Sequence, residues 1–276
     1  MTRYPAPAKI NLFLHVVGRR SDGYHLLQTV FRFLDFGDSL SFDVRDEPTI
    51  ALRTPIPGVP AEQDLTVRAA KLLQQATGTS FGAEIQLEKH LPMGGGLGGG
   101  SSDAATTLVV LNHLWQTGLS RAELEVLGLQ LGADVPIFVH GHSAFAEGVG
   151  EAFLDVVLPP AWYLVLIPPV SVPTAAIFTS PDLCRSTLPI QPDQWRPGQG
   201  HNDLEAIACR LHPEVAAYLN LLRPYGTPRM SGSGACVFAE FTDESNALRA
   251  QAQMPSGTRS FVARGIDQHP LLGCLT

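Results

Sequence analysis

The stretch Pro92-Met93-Gly94-Gly95-Gly96-Leu97-Gly98-Gly99-Gly100-Ser101-Ser102-Asp103 decides how the rest of the chain is read. Six of the seven residues from 94 to 100 are glycine, so the backbone can turn until successive N–H groups face one concavity. Strand-like alternation over Ala83–Leu87 precedes it. A helical pattern runs on to about Trp115, with Ser101 or Ser102 placed to cap it. A glycine loop running from a strand into a helix N-terminus is a cradle for an anion, phosphate above all.

The two common nucleotide motifs do not fit. Gly94, Gly96 and Gly99 satisfy Gly-x-Gly-x-x-Gly, but a dinucleotide fold needs a strand after the helix and an acid about 20 residues on. Here a second helix follows, opened by a capping box at Ser120 and Glu123 and ending at Gly132. A Walker A loop needs lysine before its serine, and Gly100 stands there. A flexible linker is the bland reading, and linkers seldom join a strand to a capped helix.

Upstream, Ile10–Val16 alternates as a strand and puts Lys9 and Asn11 on one face. Gln28–Phe36, Leu40–Val44 and Ile50–Leu52 read as further strands, and Asp64 as the N-cap of a helix. Downstream, Asp134 stands between that helix end and an apolar run, Val135–Val139, that reads as extended. An acid among Ala133, Val135 and Ile137 needs a partner, because burying an unpaired carboxylate is costly. Spacing alone fits a salt bridge or a cap as well as catalysis. Beyond residue 155 the chain alternates strands (Trp162–Ile167, Cys236–Phe241, Ser260–Gly265) with helices (Asp203–Leu211, Pro213–Leu222, Asp243–Gln253) around a Pro- and Gln-rich loop at 186–200. The simplest parse is two α+β units, 1–154 and 155–276. Trp115, Trp162 and the methionines read as core. His140 and His142 are too few to hold a metal.

Nineteen Lys and Arg against 26 Asp and Glu leave a net charge of −7, which disfavours nucleic-acid binding but not a small anion in a local pocket. With 45% hydrophobic and 16% charged residues the chain is a folded protein rather than a disordered one. Lys9 and Asn11 interrupt any signal-peptide core, the apolar run 161–172 carries Pro168 and Pro169, and four scattered cysteines form no Cys-x-x-Cys pair. A cytoplasmic protein with no membrane partner is expected.

The N-terminal block, the 92–102 loop, Gly132-Ala133-Asp134-Val135-Pro136 and Met230-Ser231-Gly232-Ser233-Gly234-Ala235-Cys236 occur in the order seen in the galactokinase, homoserine kinase, mevalonate kinase and phosphomevalonate kinase superfamily, which the chain resembles over nearly its whole length. Pro7-Ala8-Lys9-Ile10-Asn11-Leu12, Gly18–His25 and Ala144–Gly150 are similar, more narrowly, to its branch acting on a cytidine-diphosphate-linked alcohol. The resemblance implies a two-domain α+β small-molecule kinase fold, with a ribosomal-protein-like N-terminal nucleotide-binding domain and a ferredoxin-like C-terminal domain. It implies transfer of the γ-phosphoryl of ATP to the 2-hydroxyl of a methylerythritol moiety, in the non-mevalonate route to isoprenoid precursors. Lys9 and Asp134 are then the catalytic pair. Pro92, Met93, Gly94, Gly95, Gly96, Leu97, Gly98, Gly99, Gly100, Ser101 and Ser102 hold ATP, with the two serines nearest a Mg²⁺. Lys89 lies near the nucleotide, as does Asp64, where related sequences more often carry asparagine. Asn11 touches the methylerythritol hydroxyls, Tyr24 and His25 recognise cytosine, and Phe178 flanks it; the 230–235 loop closes the site from the C-terminal half. A kinase of another small alcohol would have no base for Tyr24 and His25 to read, and a catalytically dead nucleotide-binding protein would be expected to have lost Lys9 or Asp134.

Overall fold

The computed structural model describes residues 2–273. Two long strands frame it: β1 (Tyr4–Arg19) and β2 (His25–Arg45) pair antiparallel. After them come β3 (Ile50–Leu52), α1 (Leu65–Thr77), β4 (Gly82–Glu88), α2 (Gly99–Leu114), α3 (Arg121–Leu131), α4 (Val135–His140), β5 (Ala144–Glu147) and β6 (Ala152–Asp155). The second half holds β7 (Trp162–Leu166), α5 (Thr174–Phe178), α6 (Glu205–Leu211), α7 (Pro213–Leu222), β8 (Arg229–Met230), β9 (Val237–Phe241), α8 (Glu244–Ala252) and β10 (Ser260–Ile266). The sheet runs β3-β4-β2-β10-β7-β9-β8, with β1 and β5 also paired to β2 and β6 paired to β5. It is continuous across the halves, because β10 pairs with β7 along its length and with β2 through Gly265 and Ile266. The fold is thus the mixed helix-and-sheet arrangement that the sequence implies.

Three local expectations are corrected. The strands expected at 28–36 and 40–44 are one strand, β2. Gly37, in the gap between the two expected strands, lies against β1: a Cβ there would fall 2.2 Å from the Ala6 carbonyl oxygen. Val135–Val139 is helical, not extended. All five residues are buried, so the run has no polar face to reveal its period, while Pro136 in the first turn and Gly141 at φ +82° bound it as a helix. Neither Ser101 nor Ser102 caps α2: the helix starts at Gly99, and its cap, Gly98, offers no side chain. Trp115 and Met230 are buried as expected, but Trp162 is only partly buried and Met93 is 60% exposed. Cys184, Cys209 and Cys236 are free thiols, and Cys274 lies outside the described residues.

The core lies in three parts. Residues of α1, α2 and α4 pack on β2 and β4, Phe13, Tyr163 and Phe238 pack where the halves join, and α6 and α7 pack on β7 and β9. Between the first two parts runs the glycine loop.

Candidate active site

A cavity of about 550 Å³ opens along the glycine loop, within the usual size of a small-molecule site. Lys9 forms its floor. The side chain is 2% exposed, and Nζ lies 2.7 Å from Asn11 Oδ1, 3.2 Å from Asp134 Oδ2 and 5.3 Å from the centre of the Phe31 ring. Asn11 in turn donates from Nδ2 to Thr29 Oγ1 at 2.9 Å, which fixes which way its amide faces. Asp134 stands at the N-cap of α4 but makes no capping bond, so its carboxylate, 38% exposed, is left to Lys9 and the cavity. Gly98 makes room for the pair: a Cβ there would sit 3.1 Å from Lys9 Cε and 2.9 Å from Phe138.

The loop itself is held from both sides. Lys9 N donates to Leu97 O at 2.9 Å, and Cys236 N donates to Gly95 O at 3.0 Å. Pro92, Met93, Gly94, Gly95, Gly96, Gly98, Gly99, Gly100 and Ser101 line the cavity. Leu97 and Ser102 do not: Leu97 packs in the core, and Ser102 is fully buried with an unpartnered Oγ. Because no side chain caps α2, its first N–H groups are available to an anion at the loop. Gly232, Ser233 and Gly234 face the loop from the second half, and Asn202 Nδ2 steadies them by donating to Met230 O and Gly232 O, each at 2.8 Å.

At the other end, Asp64 caps α1, its Oδ1 accepting from Thr66 N and Val67 N. Lys89 is bound by two carboxylates, Asp38 and Asp103, the latter at 2.8 Å. Burial opposes the charge on Lys89, but Asp103 and Asp38 outweigh it and hold its pKa above the usual value. Asp103 is pushed up to about 7 by burial and by Asp38, against the pull of Lys89. Its Oδ1 has no partner.

A second depression, about 600 Å³, adjoins the first and shares Leu27, Ala133, Val149 and Phe178 with it. Tyr24, 65% exposed, stands in it beside His25, whose ring centre is 4.9 Å from that of Phe178. Every predicted site residue except Leu97 and Ser102 therefore lines one of two joined cavities or, for Met93, their rim. Asp38, Thr29, Asn202 and Arg185 were not predicted. Each acts by touching another site residue, and one-dimensional spacing carries no signal for that. Asp103 stood inside the quoted loop motif, with nothing in its spacing to mark it out. Among the described residues no group of three His, Cys, Asp or Glu could hold a metal ion.

Residues 64–142 match the model of the GHMP kinases N terminal domain and residues 196–258 that of the GHMP kinases C terminal. The chain is 63% identical over 97% of its length to the 4-diphosphocytidyl-2-C-methyl-D-erythritol kinase of Dechloromonas aromatica (strain RCB), covering 98% of that protein. It is 60% identical, again over 97% of its length and 92% of the relative, to the enzyme of the same name from Nitrosospira multiformis. A crystal structure of 4-(cytidine 5'-diphospho)-2C-methyl-D-erythritol kinase superposes with a TM-score of 0.81 at 34% identity, over 96% of this chain and 99% of that one. Homoserine kinase from Cytophaga hutchinsonii, at 17% identity and a TM-score of 0.67 over 97% of this chain and 94% of that one, shares the fold.

Proposed function

The chain belongs to the 4-diphosphocytidyl-2-C-methyl-D-erythritol kinases of the GHMP family, and we propose that it performs their phosphoryl transfer with Asp134 and Lys9 at the reacting hydroxyl. It is a small-molecule kinase that phosphorylates the 2-hydroxyl of 4-diphosphocytidyl-2-C-methyl-D-erythritol, in the non-mevalonate pathway, with ATP as donor. The observation that carries the assignment of roles is the isolation of the pair. Among the described residues Asp134 has one ion-pair partner, Lys9, and the rest of its carboxylate faces the cavity.

Asp134 accepts the proton of the 2-hydroxyl, or orients that hydroxyl, as the oxygen attacks the γ-phosphorus. Lys9, buried and with one N–H spent on Asn11, holds the Asp134 carboxylate in place at 3.2 Å and offsets charge building on the transferring group. The glycine-loop amides and the N-terminus of α2 hold the phosphates in line, so positioning and electrostatics supply most of the rate. Lys89 and Asp64 face the nucleoside side of the same cavity. Asn11 faces the alcohol, and Tyr24, His25 and Phe178 hold the cytosine, with stacking on Tyr24 worth about 1–3 kcal/mol.

The donor set fits a Mg²⁺ carried in by the nucleotide. Such an ion keeps several waters and needs few protein oxygens, and the cavity supplies the Ser101 hydroxyl and the unpartnered Asp103 Oδ1. When bound, it would neutralise charge on the phosphates. We place the protein in the cytoplasm: the free thiols suit a reducing compartment, and no described helix is long and apolar enough to cross a membrane. Residues 1–154 are read as the ATP side and 155–276 as closing the substrate side.

ADP release with Mg·ATP tests the reading. Turnover is expected on the cytidyl substrate and not on mevalonate or homoserine, and Asp134→Asn should lower kcat by about 10²–10⁴. Turnover on either of the other alcohols would overturn the roles of Tyr24 and His25. Undiminished turnover in Asp134→Asn would overturn that of Asp134.

A further inference from the structure

Arg185 lies in the loop after α5, outside every motif that the family resemblance uses. Its guanidinium is spent locally. Nη2 donates to the carbonyls of Phe178 at 3.0 Å and Ser180 at 2.7 Å, Nη1 donates to Leu183 at 3.1 Å, and Nε donates to His25 Nε2 at 3.1 Å. Four bonds hold one planar group, so its direction is fixed.

The last of them has a chemical consequence. A guanidinium is always protonated and can only donate, so His25 Nε2 must present a lone pair. An imidazole that accepts at Nε2 and is neutral carries its proton on Nδ1. The surroundings favour neutrality: partial burial, Arg185 and Arg19 all lower the pKa of His25. The acid in the same depression, Asp22, is already engaged by Arg20 at 2.7 Å and by Tyr24 N at 3.1 Å. Nδ1 makes no hydrogen bond to any described residue and is left for a ligand.

We propose that Arg185 is the positioning residue that sets base specificity, by locking His25 in the Nδ1–H tautomer so that it can only donate to the base. The same guanidinium holds the backbone of Phe178, so both walls of the base pocket are keyed to one side chain. The pairing edge of cytosine carries a lone pair on N3 beside the O2 acceptor, whereas uracil carries N3–H. A fixed donor satisfies the first and meets a second donor in the other. Without Arg185 the ring is free to take its other tautomer and accept, and the discrimination goes. This inference rests on the reading of His25 as a cytosine-facing residue.

CDP and UDP are the probes. The first measurement is the long-range proton–nitrogen spectrum of the His25 ring in the wild-type protein, assigned with His25→Gln, between pH 6.5 and 8. Nδ1 protonated and Nε2 bare is the expected pattern, and CDP should move the Nδ1 signal. By calorimetry, CDP should bind about 10–100-fold more tightly than UDP, the range set by leaving one polar group unsatisfied. In Arg185→Gln the ratio should fall to within about threefold, with both tautomers seen and the KM for the cytidyl substrate raised more than that for ATP. Arg185→Lys, which keeps a donor, should recover part of the preference. A protonated Nε2 in the wild-type protein overturns the proposal whether or not any variant folds. An unchanged CDP-to-UDP ratio in a folded Arg185→Gln also overturns it. A correct tautomer that CDP leaves unmoved would instead defeat the reading of the cytosine pocket, and this inference with it.

Discussion

The Ser231 hydroxyl donates to the Gly96 carbonyl at 2.8 Å, joining the glycine loop to the loop that faces it from 135 residues away in sequence. Gly96 sits at φ +75°, and a Cβ there would fall 2.0 Å from the Ser231 carbonyl oxygen. Backbone cannot yield as a flexible side chain can. Gly96→Ala should therefore cost about 2–4 kcal/mol in stability, from left-handed backbone and overpacking together, and raise the KM for ATP. Ser231→Ala removes that donor and the acceptor that Asn11 N–H uses at 3.3 Å, and should cost about 1–2 kcal/mol. Urea denaturation of both variants checks the order, and equal losses would mean that the hydrogen bond, not the close approach, holds the two loops.

Lys9 and Asp134 form one unit, and units lose their effect once. Lys9→Met keeps the length of a side chain that is 2% exposed while removing its charge. Its effect on kcat should resemble that of Asp134→Asn, about 10²–10⁴. The double variant should be no worse than the poorer single one, since each loss already disables the pair. Steady-state kinetics on the four proteins decides this, with full additivity counting against a shared role.

The parts of this site that could be read from sequence are those whose chemistry is local. The glycine density of residues 94–100, the capping box at Ser120, and Asp64 before its helix each declare themselves within a few residues. Lys9 and Asp134 lie 125 positions apart by number, and nothing in their spacing joins them; only the order of motifs did. The expected strand at 135–139 fails because a fully buried run has no hydrophobic period, and the two strands expected at 28–36 and 40–44 are one because Gly37 continues the strand and lets β1 approach closely. Arg185 and Asp38 act on backbone carbonyls, backbone amides and distant side chains, so their roles exist only once the chain has folded.

The cysteines should separate sharply under alkylation. Cys236 is buried behind Gly95, and burial pushes its thiol up to about 12. Cys184 is exposed, and the hydroxyl of Thr187, 3.5 Å away, holds its pKa below the usual value. Iodoacetamide at pH 8 should label Cys184 in the native protein and reach Cys236 only after unfolding, as peptide mass mapping would show. Native labelling of Cys236 would mean that the glycine loop opens readily.

Asp103 and Asp38 share one ammonium, Lys89, in a nearly dry site, so the nucleotide-free protein holds one carboxylate too many. Burial and Asp38 raise Asp103 to about 7 against an ordinary 3.8. A carboxyl whose folded pKa is raised is more readily protonated in the folded state. Its contribution to stability is therefore complete below about pH 4 and is lost as pH rises through 7. Asp103→Asn removes the ionisation and keeps the shape. The variant should be more stable than the wild-type protein at pH 8, by at most about 4 kcal/mol, with the advantage shrinking steadily toward pH 4.5. Lys89 keeps Asp38 as its partner in the variant, so the ammonium is not stranded. Urea unfolding of both nucleotide-free proteins at pH 4.5, 6 and 8 measures the difference. An Asp103→Asn protein that is less stable at pH 8 than at pH 4.5, relative to wild type, would show that the ionised Asp103–Lys89 bridge outweighs the crowding of two acids.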